Sequence, residues 1–338
     1  MPDTILPHPH ANKPPEHNRL GLDYRAPIPR PKVIGPAVDF HVHIAAARHA
    51  QLFLNVAAHY GFQHALSMTP LEEALVIQRD YPRRIQFIAI PRWHDWGQGF
   101  IDSWLRRIEA FYNIGSRIVK FWFAPPAIGD RRWRLDSPQF RPLLREAVSR
   151  RMAVMTHVGD PDAWYHTRYA DARKFGSRED HYRMWQNALD EYPGVTWLAA
   201  HLAGNPENLP RLQQLLDRYT NLYMDCSATK WIVRELSVRR DSAREFFIRN
   251  QDRLIFGTDL VTADQRGWDF LASRFWTLRR MWETARAEPS PIDDPDLPDD
   301  SQPTLRGLAL PDACLQKLYR DNALRFLNSA GAAAFPSC

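Results

Sequence analysis

Eight short apolar runs, each followed by a longer segment of helical spacing, constrain this 338-residue chain more than anything else in it. The runs are AVDFHVHI (37–44), ALSMT (65–69), IQFIAIP (85–91), RIVKFWF (117–123), AVMTHVG (153–159), VTWLAAH (195–201), NLYMDCSA (221–228) and RLIFGTDLV (253–261). Between them, segments such as IDSWLRRIEAFYNI, FRPLLREAVSR and NLPRLQQLLDRY repeat apolar residues every three or four positions, the spacing of an amphipathic helix. Strands alternating with helical crossovers predict a parallel sheet, and eight right-handed repeats of this kind close into a (β/α)8 TIM barrel. A doubly wound open sheet is the alternative. It usually has fewer strands and often a Gly-rich phosphate turn after the first, which this sequence lacks.

The flanks read differently from the barrel, which is assigned to residues 33–338. Residues 1–32 are rich in Pro and polar groups and predict an irregular arm; its His8, His10 and His17 are given no catalytic role. After the eighth run come a long helix, GWDFLASRFWTLRRMWETARA, and an acidic Pro-rich stretch, EPSPIDDPDLPDDSQP, expected to be a surface loop. The last segment, PDACLQKLYRDNALRFLN, predicts an extra C-terminal helix on the outside of the barrel.

Composition narrows the function classes. Hydrophobic residues make up 44% of the chain, enough to offset the ordering entropy of a large core. The net charge of +5 raises nucleic-acid binding as a class, but the arginines (Arg106, Arg107, Arg145, Arg150, Arg279, Arg280) are spread over helical segments, commonly beside acids. No helix-turn-helix pattern, RNA-binding aromatic signature or paired zinc-finger cysteines accompany them, so a solvated outer ring is the better reading and no nucleic-acid partner is expected. Cys226, Cys314 and Cys338 are too few and too widely spaced for a disulfide framework. With no signal-peptide h-region and no run of membrane-spanning length, a soluble cytoplasmic protein is expected.

The chemistry-bearing residues sit at strand ends. In AVDFHVHI, Asp39, His41 and His43 occupy alternate positions and project from one face of an extended strand. Three more apolar runs end in a potential ligand: His157, His201 and Asp259. Burying such groups without compensation is costly, and sharing a cation satisfies several at once. In a barrel all these ends lie on the C-terminal face, where active sites are built. Asp39 lies deeper on the same face, either as an acceptor that fixes a ligand imidazole or as a structural hydrogen-bonding group. Arg92 and His94 after the third strand, and Lys230 and Arg234 after the seventh, are candidates for gripping a substrate carboxylate, with surface pairing as the ordinary alternative. Trp93, Trp96, Trp122, Trp164 and Trp231 also follow strands and would either line a pocket mouth or pack between loops.

The ordered set DFHVH, THVGDP, AAHLAG, DCSATKW, FGTDL and LYRDNALRFL resembles the amidohydrolase superfamily over residues 37 to 327, and within it the branch of amino-carboxymuconate-semialdehyde decarboxylase and gamma-resorcylate decarboxylase. The resemblance implies that His41, His43, His157 and Asp259 hold one divalent metal ion, with His201 beside it as acid/base. Three imidazoles and a carboxylate suit Zn2+, with Mn2+ and Fe2+ as alternatives. In binuclear relatives a carboxylated lysine at the position of Lys120 bridges two ions; the similar mononuclear branch does without it, so Lys120 is read as a charged neighbour that orients substrate. A homodimer is implied as well.

Metal-activated water acting on a small amide, lactone or ester-like substrate is the expected reaction, with Asp259 or His201 taking the proton. Non-oxidative decarboxylation of an aromatic or unsaturated acid is the alternative. A barrel that has lost catalysis and serves as a scaffold is the third reading, weighed against by the complete set of ligands.

Overall fold

In a computed structural model, which describes residues 15–29, 31, 33–92, 97, 99–333 and 335, the apolar runs become strands. They are β1 (Ala37–His43), β2 (Phe62–Ser67), β3 (Ile85–Phe87), β4 (Ile118–Trp122), β5 (Ala153–His157), β6 (Trp197–Ala199), β7 (Leu222–Asp225), β8 (Leu254–Ile255) and β9 (Leu260–Val261). Every pairing among them is parallel. Two runs of strands, β3-β2-β1-β9 and β4-β5-β6-β7-β8, are joined at both seams by backbone hydrogen bonds. At one seam Ala89 N donates to Ile118 O (2.8 Å) and Lys120 N to Ala89 O (2.9 Å). At the other, Phe40 N donates to Phe256 O (3.0 Å) and Asp259 N to His41 O (2.8 Å). The ring is thereby closed, and the chain is a (β/α)8 barrel.

β8 and β9 are the two halves of the single eighth run read from sequence. The break is local: Asp259 adopts a left-handed backbone (φ 54°), which no regular strand accommodates. β2 begins three residues earlier than the sequence suggests. Gly61, at φ +91°, ends the preceding helix Ala50–His59 and lets the chain turn at once into Phe62.

The predicted crossover helices form as Phe100–Asn113, Arg141–Ser149 and Leu209–Arg218, with apolar faces turned to the sheet. Four tryptophans, Trp104, Trp185, Trp197 and Trp282, are completely buried where helices meet strands. The long segment after the eighth strand is helical over Trp268–Glu283. The acidic stretch runs as a loop between two short antiparallel strands, β10 (Ala287–Pro289) and β11 (Thr304–Arg306). The terminal segment is helical with a π-turn at Lys317–Asp321, where Leu318 O accepts a hydrogen bond from Phe256 N.

The described part of the arm has no regular elements, yet it is tied down. Arg19 N donates to Pro291 O (2.9 Å), Asp293 N to Glu16 O (2.7 Å), and Tyr60 Oη to Tyr24 O (2.9 Å). His8, His10, Trp93, His94, Trp96 and Cys338 lie outside the described residues.

Candidate active site

β1 supplies the first part of the site. Strand alternation puts Asp39, His41 and His43 on one face, with Asp39 and His41 buried and His43 nearer the opening. Asp39 does not meet an imidazole. Its Oδ1 accepts from His41 N (3.2 Å) and Thr258 N (3.1 Å), and its Oδ2 from Thr258 Oγ1 (2.7 Å), so it stitches β1 to the start of the broken eighth strand. Of the two readings of Asp39, the structural hydrogen-bonding group is the one seen, not the acceptor for an imidazole; the group that holds the His41 ring is Asp225, at the end of β7. Its Oδ2 lies 2.9 Å from His41 Nδ1, while its Oδ1 accepts from His201 N (2.9 Å), Ser227 N (3.2 Å) and Ser227 Oγ (2.5 Å).

With Nδ1 held by Asp225, His41 turns Nε2 to the cavity. The left-handed turn at Asp259 brings its carboxylate across from the eighth strand, so that Oδ1 lies 3.2 Å from His41 Nε2 and 3.3 Å from His43 Nε2. The potential ligand atoms of His41, His43 and Asp259 all fall within 4.8 Å of one another. His201 also has a left-handed backbone (φ 57°), and Leu202 and Ala203 follow it in the same region. Non-glycine residues adopt this conformation at a cost of roughly 1–2 kcal/mol each, and such strain concentrates at functional sites. The turn leaves the His201 ring 4.8 Å from that of His41 and 4.9 Å from that of His157, with Nδ1 hydrogen-bonded to Ser227 Oγ (2.7 Å).

His157 ends β5 in the same cavity but stands outside the tight cluster. Its Nε2 is 2.9 Å from Asp160 Oδ1, so coordination without losing that bond has to use Nδ1. The cavity, about 470 Å³, is walled by the indoles of Trp122 and Trp231 and by Met68, with Lys120 and Arg131 as its cations. Lys120 Nζ is buried without a hydrogen-bond partner among the described residues.

Burial governs the electrostatics. It pushes His43 below, and His201 well below, the usual imidazole range, so both are neutral at neutral pH. It pulls Lys120 down to about 8. Burial, the largest influence, would lower His41, but the Asp225 and Asp259 carboxylates together outweigh it and the net shift is upward. Burial alone would raise Asp259, but His201, His41 and His43 hold its carboxyl well below the usual range. Asp39, lacking a cation, is raised by burial to about 7.

Other residues singled out in the sequence stand elsewhere. Arg92 is exposed and pairs with Glu72 (2.6 Å), away from the cavity walls. Arg234 is engaged by Asp294 (2.7 Å), Asp296 (3.2 Å) and Glu235 (2.8 Å); it clamps the acidic loop and is not among the residues that line the cavity. Asp296 also accepts from Trp164 Nε1 (2.7 Å), so that indole packs between loops. Lys230 lines an adjoining lobe. Sequence reading missed Asp225, Ser227, Arg131 and Met68. Asp225 carried a usable signal, since NLYMD is an apolar strand ending in a carboxylate just as LIFGTD is; Arg131 closes a short helix and has no periodicity that marks it.

Gly257 allows the seam between β1 and the eighth strand to close. A Cβ there would lie 2.6 Å from His41 Cβ and 3.2 Å from Ser227 Cβ. Gly257→Ala is therefore expected to destabilise the fold by about 1–3 kcal/mol, the range for overpacking, and to displace His41. Urea unfolding checks it; an unchanged midpoint would mean the seam yields freely.

The match to known proteins now has a site to attach to. A family model described as Amidohydrolase matches residues 8–328. The chain belongs to the amidohydrolase family. It is thus an enzyme of the amidohydrolase superfamily, with the barrel that this family implies. No curated protein matches the sequence. Among solved structures, this amidohydrolase is similar to 2,6-dihydroxybenzoate decarboxylase in complex with 2,6-dihydroxybenzoate (14% identity, TM-score 0.54, 87% of this chain and 99% of that one). It is similar also to a Pseudomonas putida protein provisionally described as a 2-pyrone-4,6-dicarboxylic acid hydrolase (13%, 0.52, 88% and 99%). A third is 5-carboxyvanillate decarboxylase from Novosphingobium aromaticivorans in complex with manganese (12%, 0.51, 89% and 99%). At these identities the likeness is one of fold.

Proposed function

We propose that this amidohydrolase is a metal-dependent hydrolase of a small, carboxylate-bearing cyclic or ester-like substrate. One observation carries the reading: two imidazole Nε2 atoms converge within 3.3 Å of a single Asp259 oxygen, at the floor of an indole-walled cavity. The donor set fits a divalent cation. His41 is oriented by Asp225, as ligand imidazoles commonly are by a neighbouring carboxylate, and Asp259 stays ionised. His41, His43 and Asp259 would hold the ion, with His157 joining through Nδ1; the nitrogen-rich set suits zinc, while the structurally similar 5-carboxyvanillate decarboxylase is in complex with manganese. A cation bound there supplies polarisation of a carbonyl oxygen and lowers the pKa of water toward ~7.

The protein's own groups do the rest. Neutral His201, its ring set by Ser227, and ionised Asp259 are both proton acceptors at neutral pH, which is what deprotonating water requires. The Lys120 ammonium attracts the substrate's carboxylate, and Trp122 and Trp231 flank a flat ring and limit water. The proton taken by His201 is then returned to the leaving group.

A second reading is non-oxidative decarboxylation of an aromatic acid. The indole walls and the Lys120 amine favour it, and two of the similar structures are of decarboxylases. Turnover in oxygen-18 water separates the two. Hydrolysis is expected to leave label in the product acid; carbon dioxide release with an unlabelled product would replace the first reading with the second.

A further inference from the structure

The largely buried arginines Arg107, Arg178, Arg234 and Arg279 each have a carboxylate oxygen within 3.2 Å. Arg274 is different. It is 9% exposed, its Nη1 donates to Phe270 O (3.2 Å) and Ser273 Oγ (2.8 Å), and its guanidinium lies 3.8 Å from the Phe270 ring. Among the described residues it forms no ion pair. An unpaired buried guanidinium is costly, and an anion beside it removes much of that cost.

Arg274 lines a lobe of about 200 Å³ together with Ala228, Thr229 and Lys230, and this lobe shares Trp231 and Asp259 with the main cavity. The single ion pair of Lys230 among the described residues is with Glu16 Oε2 at 4.0 Å, too long for a hydrogen bond. Thr229 and Lys230 also open the helix Thr229–Ser237, whose backbone N–H groups and positive dipole end face this region. Two cations and a helix start therefore line one small space, which borders the cavity of Lys120 and Arg131 at Trp231 and Asp259.

Among the described residues, the acid that pairs with Lys230 comes from the arm, and Arg274 pairs with none. Glu16 is mostly exposed, and its field acts on both Lys230 and Arg274. Its backbone is pinned by Asp293 N, so the carboxylate stands at the lobe without filling it.

We propose that this lobe is an anion-binding subsite of the same active site, that it takes a second carboxylate of the substrate between Lys230 and Arg274, and that Glu16 neutralises it while it is empty. The inference rests on the main cavity being the substrate site. It narrows the substrate to a small acid with anionic groups at both ends, one drawn to Lys120 and one to Lys230 and Arg274, with the bond to be broken held between them beside Asp259.

Binding at equilibrium tests this without turnover. Glutarate, adipate, benzene-1,3-dicarboxylate and benzene-1,4-dicarboxylate are each compared by calorimetry with the monoacid lacking the second carboxylate, using the full chain as purified with its metal. At least one diacid is expected to bind about tenfold more tightly than its monoacid, the equivalent of one good charge-assisted contact. Lys230→Gln is expected to abolish that excess while leaving the monoacid within about twofold, and Glu16→Gln to tighten the diacid by about threefold through loss of an internal competitor. Lys230 and Glu16 are partly exposed, so both variants should fold. The subsite is overturned if no diacid exceeds its monoacid in either the parent protein or Glu16→Gln, or if Lys230→Gln weakens both kinds of acid equally. Failure of the oxygen-18 experiment leaves this comparison readable; if no acid of either kind binds, both inferences fall.

Discussion

Asp225→Ala is expected to lower folding stability by about 3–5 kcal/mol, the cost of breaking a buried charged network by removing one partner. The carboxylate is fully buried and serves four groups: the His41 ring, the His201 backbone N–H, and the Ser227 backbone N–H and hydroxyl. Alanine leaves the His201 and Ser227 backbone N–H groups and the Ser227 hydroxyl without this acceptor in a buried region, and leaves His41 Nδ1 only the Ser227 hydroxyl at 3.1 Å. The charge matters separately from the contacts. Asp225→Asn keeps the shape and one acceptor oxygen, so the barrel should persist; yet an amide cannot hold His41 in the tautomer that frees Nε2 with the same strength. Metal affinity is then expected to fall by about 10–100-fold, the usual effect of losing a carboxylate behind a ligand imidazole. Urea unfolding reads the first variant and chelator competition the second. If Asp225→Asn binds metal as tightly as the parent, the carboxylate is a structural brace and its proposed control of His41 is wrong.

Asp225 also marks where sequence reading stops. The eight strands were legible because each is a short apolar run set off by helical periodicity, and the crossover rule leaves few ways to arrange eight of them. His41, His43 and Asp259 were legible because a polar group at the end of an apolar strand has to be explained. The same signal exists at Asp225 but stands inside the DCSATKW motif, while Asp39 shares a strand face with His41 and so draws attention either as an acceptor for its ring or as a structural hydrogen-bonding group. Alternation states which face a residue occupies; it does not state which neighbouring strand delivers the partner. Here β7 reaches the ring first, and Asp39 is drawn to backbone N–H groups at the seam.

The cations were harder for a related reason. An arginine's long side chain decides its fate by what lies within several ångströms, and loops far apart in sequence set that. Arg234 was a fair candidate until the acidic loop, some 60 residues later, supplied Asp294 and Asp296. Arg274 sits inside a helix with ordinary spacing and is notable only because no carboxylate among the described residues pairs with it. What distinguishes the two is three-dimensional pairing, which periodicity does not encode.

Lys120→Met is expected to make the protein more stable at neutral pH while weakening its hold on anionic ligands. The amine is buried on β4 with no hydrogen-bond partner among the described residues, and burial lowers its pKa from 10.5 to about 8. The sign follows from the direction of the shift. A lysine whose folded pKa lies below its unfolded value penalises the fold wherever it is charged in both states, here below about pH 8. The penalty shrinks as pH rises from about 8 toward 10.5 and vanishes above that. A shift of this size corresponds to about 3 kcal/mol, and methionine fills a similar volume without the charge. The variant should therefore gain about 2–3 kcal/mol at pH 6–7, with the advantage shrinking by pH 9.5, as read from urea midpoints across that range. Benzoate affinity should fall by about tenfold in the same variant, since the charge that costs stability is the one proposed to attract the carboxylate. A variant less stable than the parent at pH 7 would mean that Asp225 and Asp259 already compensate the ammonium within the fold. Lys120 would then be a structural member of the cluster, and the substrate's carboxylate would have to be held by Arg131.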